Sequence, residues 1–94
     1  MFEIQVEDGG RVRLAGRLDA AQADRAKATL DMVKQSLVLD LSELDYVSSA
    51  GLGVIVMTFK RLRDSGLDFR LTNMKPRIRS VFVYAGLDRV FRLE

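Results

Sequence analysis

The stretch Leu37 to Val56, reading LVLDLSELDYVSSAGLGVIV, constrains the fold more than any other part of the chain. An apolar run with strand character ends in acidic and polar residues. Two serines, an alanine and a glycine follow, and a helical pattern starts at once. Such a junction puts the hydroxyls of Ser48 and Ser49 at a helix start, among unpaired backbone N–H groups and a partial positive charge. Leu37-Val38-Leu39 shows no alternation, which favours a strand covered on both faces, as in the middle of an α/β sheet.

The flanking sequence fits such a sheet. Phe2, Ile4 and Val6 alternate with Glu3, Gln5 and Glu7, the period of a half-buried strand. Asp8-Gly9-Gly10 is a turn signal, and Val12, Leu14 and Leu18 continue a second strand, so the two read as a β-hairpin. Gly16 within that strand marks a bulge or a close backbone approach. Asp19 is placed to cap the next helix, whose apolar stripe is Ala23, Ala26, Leu30 and Val33. A second helix from about Ala50 buries Leu52, Ile55, Val56, Phe59 and Leu62, and Gly66 closes it. Phe69 and Leu71 belong to another strand. Pro76 starts a third helix with Ile78, Val81, Phe82 and Ala85 inward, and Gly86 ends it. Val90, Phe91 and Leu93 suggest a short final strand or extended tail. The order β-β-α-β-α-β-α predicts one α/β domain over residues 1–94, with a mixed sheet, right-handed crossovers and three or four helices.

Composition removes whole classes of chemistry. The chain has no cysteine and no histidine, so disulfides, thiolate metal sites and Ser-His-Asp or Cys-His catalysis are excluded. The net charge of +2 is too small by itself to suggest nucleic acid. The distribution is uneven: residues 1–47 hold nine acids and six bases, and residues 48–94 hold four acids and nine bases. The basic half reads as a solvated face or as a surface that steers toward an acidic partner. No apolar run approaches the ~20 residues of a membrane helix. The start Met1-Phe2-Glu3-Ile4-Gln5 has neither a basic nor an apolar signal region, so a cytoplasmic protein is expected.

Gly51-Leu52-Gly53 lacks the third glycine of a dinucleotide fingerprint and the lysine of a phosphate loop. Asp40, Glu43 and Asp45 crowd one segment but do not match a calcium loop, and they read as a solvated acidic loop. Two adjacent serines exceed what one helix cap needs. Phosphate on either would add about −1.5 to −2 charges at a helix N-terminus, where the fold tolerates it and a docked partner need not.

The central stretch resembles the core motif of STAS domains, the anti-sigma factor antagonists of bacteria. Ala15-Gly16-Arg17-Leu18-Asp19-Ala20 resembles that family's G-x-L-D signature, and the segment from Pro76 through Leu87-Asp88-Arg89-Val90-Phe91 resembles its closing part. The resemblance spans nearly the whole chain and implies a STAS-like fold. In such proteins the regulatory serine lies two positions before the motif glycine; here these are Ser49 and Gly51. The resemblance implies that a serine kinase, which is also the anti-sigma factor, phosphorylates Ser49. A PP2C-type phosphatase would reverse this, and the unmodified form would bind the kinase and release a sigma factor. It implies no catalytic residue, metal or cofactor in this chain, no direct nucleic-acid contact and no membrane insertion. Ser48 stands where many antagonists carry aspartate, and Ala50 where serine or threonine is common. Asp19, Ser48, Gly51, Val54 and Met57 are the candidate partner contacts, with Val54 and Met57 expected toward the outer face of the second helix. The alternative is an unphosphorylated STAS subunit of a lipid-transport ABC complex.

Overall fold

The computed structural model describes residues 1–91. Strands β1 (Phe2–Glu7) and β2 (Arg11–Leu18) form the predicted hairpin, in antiparallel register from Phe2 opposite Gly16 to Glu7 opposite Arg11. A 3-10 turn (Ala20–Gln22), helix α1 (Ala23–Leu30), strand β3 (Leu37–Val47), helix α2 (Ser49–Asp64), strand β4 (Phe69–Thr72) and helix α3 (Pro76–Tyr84) follow, with a last 3-10 turn at Leu87–Arg89. The sheet order is β1-β2-β3-β4, with both β2–β3 and β3–β4 parallel. This is the mixed, mostly parallel α/β sheet that the sequence predicts.

The strand order explains one departure. Both crossovers, β2-α1-β3 and β3-α2-β4, step the same way across the sheet. Right-handed connections that step the same way lay their helices on the same face. Phe2, Val12, Leu14, Leu39, Leu41 and Leu71 accordingly share one core with Ala26, Leu30, Ile55, Leu62, Ile78 and Phe82. The opposite face carries Glu3, Gln5, Arg11 and Arg13 and stays open. Strand β3 is therefore not covered on both faces: Leu37 and Leu39 are buried, and Val38 between them only half so.

Leu41, Leu44 and Val47 are all buried although they are three residues apart. Strict alternation forbids this. Along β2 the register moves from Arg13 opposite Asp40 to Ala15 opposite Glu43, and from Gly16 opposite Leu44 to Arg17 opposite Tyr46. Each shift gives β3 one extra residue, a bulge that turns two successive side chains outward. Gly16 sits at the second shift with φ +83, and a Cβ there would lie 2.1 Å from the Met1 carbonyl oxygen. The bulge and the close approach anticipated for this glycine are both present.

Three expectations about packing need correction, the simplest being that Ala85, placed inward by the pattern, is exposed just past the end of α3. Helix α2 buries Gly51, Val54, Ile55, Thr58 and Leu62, whereas Leu52, Val56 and Phe59 lie on its flank. The inward stripe includes a threonine because the Thr58 hydroxyl donates to the Val54 carbonyl at 2.9 Å, leaving no unmet polar group. At the end of the chain, Val90 and Phe91 are not a strand, and Leu93 lies outside the described residues. Phe91 turns inward instead, with ring centroids 4.9 Å from Phe59 and 5.6 Å from Phe69. Burying that ring outweighs any extended pairing of one short segment. Among the described residues no helix is long and apolar enough to cross a membrane.

Candidate functional site

The serine pair lies where the C-terminal ends of β2 and β3 meet the start of α2. The Ser48 N–H donates to the Leu18 carbonyl at 2.9 Å, joining the two strand ends. Ser48 then takes an extended backbone (φ −86, ψ 171), and its Oγ accepts from the Gly51 N–H at 3.1 Å. It is the N-cap of α2. Ser49 is the first residue of the helix and is exposed, and among the described residues its hydroxyl has no hydrogen-bond partner. The two serines thus divide their tasks: one oxygen is spent on the helix and the other is free. The first turn of α2 holds no acid, while Arg61 and Arg63 stand in its last turn. The positive end of the helix dipole beside Ser49 is left uncompensated.

Asp19 lies on the same rim, one residue beyond Leu18. Its carboxylate accepts from the Gln22 N–H at 3.1 Å, the capping role that its position in the sequence predicts, and it is half-buried.

Val54 does not stand on the outer face as expected, and Gly51, a candidate partner contact, faces the sheet. Gly51 is buried, and a Cβ built there would meet the Leu18 Cγ at 2.7 Å and the Leu18 carbonyl oxygen at 3.0 Å. It lets the helix start press against the end of β2. Val54 is only 7% exposed, because the buried face of α2 is turned from the one the apolar pattern alone suggests. Met57 does point outward, at 56% exposure. The outer stripe of α2 near the rim is Ser49, Ala50, Gly53 and Met57. Ala50 and Gly53 were not among the predicted contacts. Their signal is the four-residue spacing from Ser49 through Gly53 to Met57.

The three acids before the junction are not the solvated loop expected: all lie in β3, and two of them are paired. Asp40, 6% exposed, pairs with Arg11 and accepts from the Ser42 N–H at 2.9 Å. Burial pushes its carboxyl up, but bonds from Ser42, Arg11 and Asn73 outweigh that and hold it below the usual carboxylate value. Asp45 is also held low, chiefly by its hydrogen bond from Lys75 on the residue before α3. Glu43 is exposed.

One feature was invisible in the sequence. Arg17 and Tyr46, cross-strand partners next to the rim, form a cation–π pair with the guanidinium carbon 4.3 Å from the ring centroid.

A four-stranded mixed sheet with helices on one face, and a strand-serine-helix corner at its rim, define the small one-sided α/β class of domain. The chain belongs to the STAS domain family, whose model it matches over residues 2–94. It is similar to BtrV of Bordetella bronchiseptica, with 38% identity over 82 residues covering 83% of this chain and 71% of that protein. It is also similar to the anti-sigma-B factor antagonist of Listeria monocytogenes, with 34% identity over 99 aligned positions covering 99% of this chain and 87% of the relative. Among solved structures, the Bacillus anti-sigma factor antagonist SpoIIAA in its unphosphorylated form covers 100% of this chain and 88% of its own, with TM-score 0.78. At 19% identity that likeness is one of fold. The phosphorylated form of SpoIIAA matches at TM-score 0.73 and also 19% identity.

Proposed function

We propose that this protein is an anti-sigma factor antagonist, a binding module whose docking is switched by reversible phosphorylation of Ser49. The observation that carries this reading is the division of labour at the corner. Ser48 holds the helix, so the exposed Ser49 hydroxyl can be modified without removing a bond on which the fold depends. Added phosphate would sit at the positive end of α2, which favours negative charge. The scaffold keeps its shape while a partner seated on Ser49, Ala50, Gly53 and Met57 meets a new charge. The relatives named as anti-sigma factor antagonists support the antagonist part of this reading. Asp19 and Ser48 border this surface, while Gly51 and Val54 shape it from beneath.

In this reading the partner is a serine kinase that is also the anti-sigma factor and supplies its own ATP and magnesium. A PP2C-type phosphatase restores the hydroxyl. The chain is the substrate of both and needs no catalytic group, which suits a sequence without histidine or cysteine. Incubation with the cognate kinase and ATP, followed by mass spectrometry, tests it. Phosphate on Ser49, absent from the Ser49→Ala variant, is the expected result. An unmodified protein that neither gains phosphate nor binds the kinase overturns it.

A further inference from the structure

The second bulge of β3 has an electrostatic effect. With Gly16 opposite Leu44, an uninterrupted register would set Arg17 opposite Asp45, and the two charges would neutralise each other. The shift sets Arg17 opposite Tyr46 instead. Asp45 pairs with Lys75, the Arg17 charge being a lesser influence on it, and the Arg17 guanidinium carbon stands over the tyrosine ring, 4.3 Å from its centroid. Among the described residues Arg17 forms no ion pair and is exposed, as is Tyr46 at 39%. The ring holds the guanidinium in place without consuming its hydrogen-bonding edge, so the planar fork is preorganised and unspent.

This cation stands at the residue before Leu18, whose carbonyl receives the Ser48 N–H. We propose that Arg17, seated on Tyr46, is a docking residue that pairs with a carboxylate on the partner protein bound at the Ser49 rim. The proposal rests on the binding role argued above. A protein partner suits an exposed cation held on an aromatic ring at the end of a strand. The clefts beside Val6 and Met32, beside Glu3 and Arg13, and beside Lys75 and Arg77 take in neither Arg17 nor Ser49. A carboxylate fits because a guanidinium forms paired, planar bonds with it. The arrangement also gives the switch its sign. Arg17 and Ser49 are the chain neighbours of the bonded pair Leu18 and Ser48, so an acid drawn to Arg17 is brought to the rim that carries a neutral Ser49. Phosphate on Ser49 places like charge beside that acid and drives it off without any rearrangement of the fold.

The test measures binding of the full chain to the purified cognate kinase by calorimetry at two salt concentrations. Arg17→Glu is expected to weaken binding by about tenfold or more, since a close like-charge contact replaces an attractive one. Arg17→Gln should weaken it less and flatten its salt dependence. Arg17→Lys should recover part of the loss, and Tyr46→Leu should mimic a mild Arg17 defect. Thermal unfolding of each variant verifies the fold, and Arg17→Gln serves if Arg17→Glu does not fold. Wild-type affinity and salt dependence in a folded Arg17→Glu or Arg17→Gln variant overturn the assignment. Ser49→Asp in the same assay separates the two ideas. Loss with Ser49→Asp alone removes Arg17 and leaves the switch standing. Loss with the Arg17 variants alone keeps the docking residue and removes the switch.

Discussion

The Ser48 N–H and the Leu18 carbonyl meet at 2.9 Å, and this one bond joins the ends of β2 and β3 to the start of α2. Gly51 packs against the same leucine, so strand end and helix start form a single joint. The position of the Ser49 hydroxyl is therefore set by the core and not by a loop, and several measurable consequences follow from that.

Gly51→Ala should destabilise the protein by about 1–3 kcal/mol, the usual cost of forcing a methyl into a filled site. The new Cβ would lie within 3.0 Å of Leu18 and Val47 atoms. Gly53→Ala, two residues along on the exposed side with nothing within 4 Å of its Cβ, should stabilise by up to about 1 kcal/mol through helix propensity. Chemical denaturation of both variants checks the contrast.

Ser48→Ala removes the acceptor of the Gly51 N–H and should cost about 1 kcal/mol, as lost N-caps do. Ser49→Ala, at an exposed site with a free hydroxyl, should stay within about 0.5 kcal/mol of wild type. Equal losses in the two variants would contradict the assignment of the cap to Ser48.

Ser49→Asp should fold with wild-type stability or slightly above, because an acid in the first turn suits the helix dipole. Its affinity for the kinase should fall by about tenfold or more, as like-charge or desolvation penalties at an interface dictate. Circular dichroism and calorimetry on the same preparation separate fold from binding.

Asp40 predicts a pH dependence of definite sign. Its carboxyl is held low in the folded protein, so it contributes stability above its unfolded pKa, near 3.8. That contribution is lost as pH falls through the lower, folded value. The stability advantage of wild type over Asp40→Asn should be full at neutral pH and shrink below about pH 4. Asp31 and Asp45 shift in the same direction but are exposed and screened. Repeating the titration in high salt isolates the Asp40 share.

Arg61 on α2 donates to the Leu30 carbonyl at 2.8 Å and to the Val33 carbonyl at 2.9 Å, closing the end of α1. Arg61→Met keeps the aliphatic bulk and takes the donor from the Val33 carbonyl, while the Leu30 carbonyl keeps the Val33 N–H at 3.0 Å. It should cost about 1–3 kcal/mol and speed hydrogen exchange in the last turn of α1 more than in β3.

Much of this fold can be read from periodicity. The alternation of Phe2, Ile4 and Val6 gives β1, and the stripe Ala23, Ala26, Leu30 and Val33 is buried throughout. The one-sided sheet was not legible, because it depends on the direction of successive crossovers rather than on any local pattern. The bulges of β3 were hidden because a spacing of three, Leu41 to Leu44 to Val47, matches neither a strand nor a long helix. The corner itself was visible as a strand running into paired serines. Which serine caps was not, since it depends on the single residue that keeps extended backbone geometry before the helix begins. Val54 was misplaced because the buried Thr58 shifts the inward stripe, and a satisfied hydroxyl leaves no mark in an apolar pattern. The Arg17–Tyr46 stack joins two distant segments through a register shift that no local motif announces.

The one-way succession of strands has a further outcome. All the helices crowd one flank, so the other flank is left as a plain charged floor.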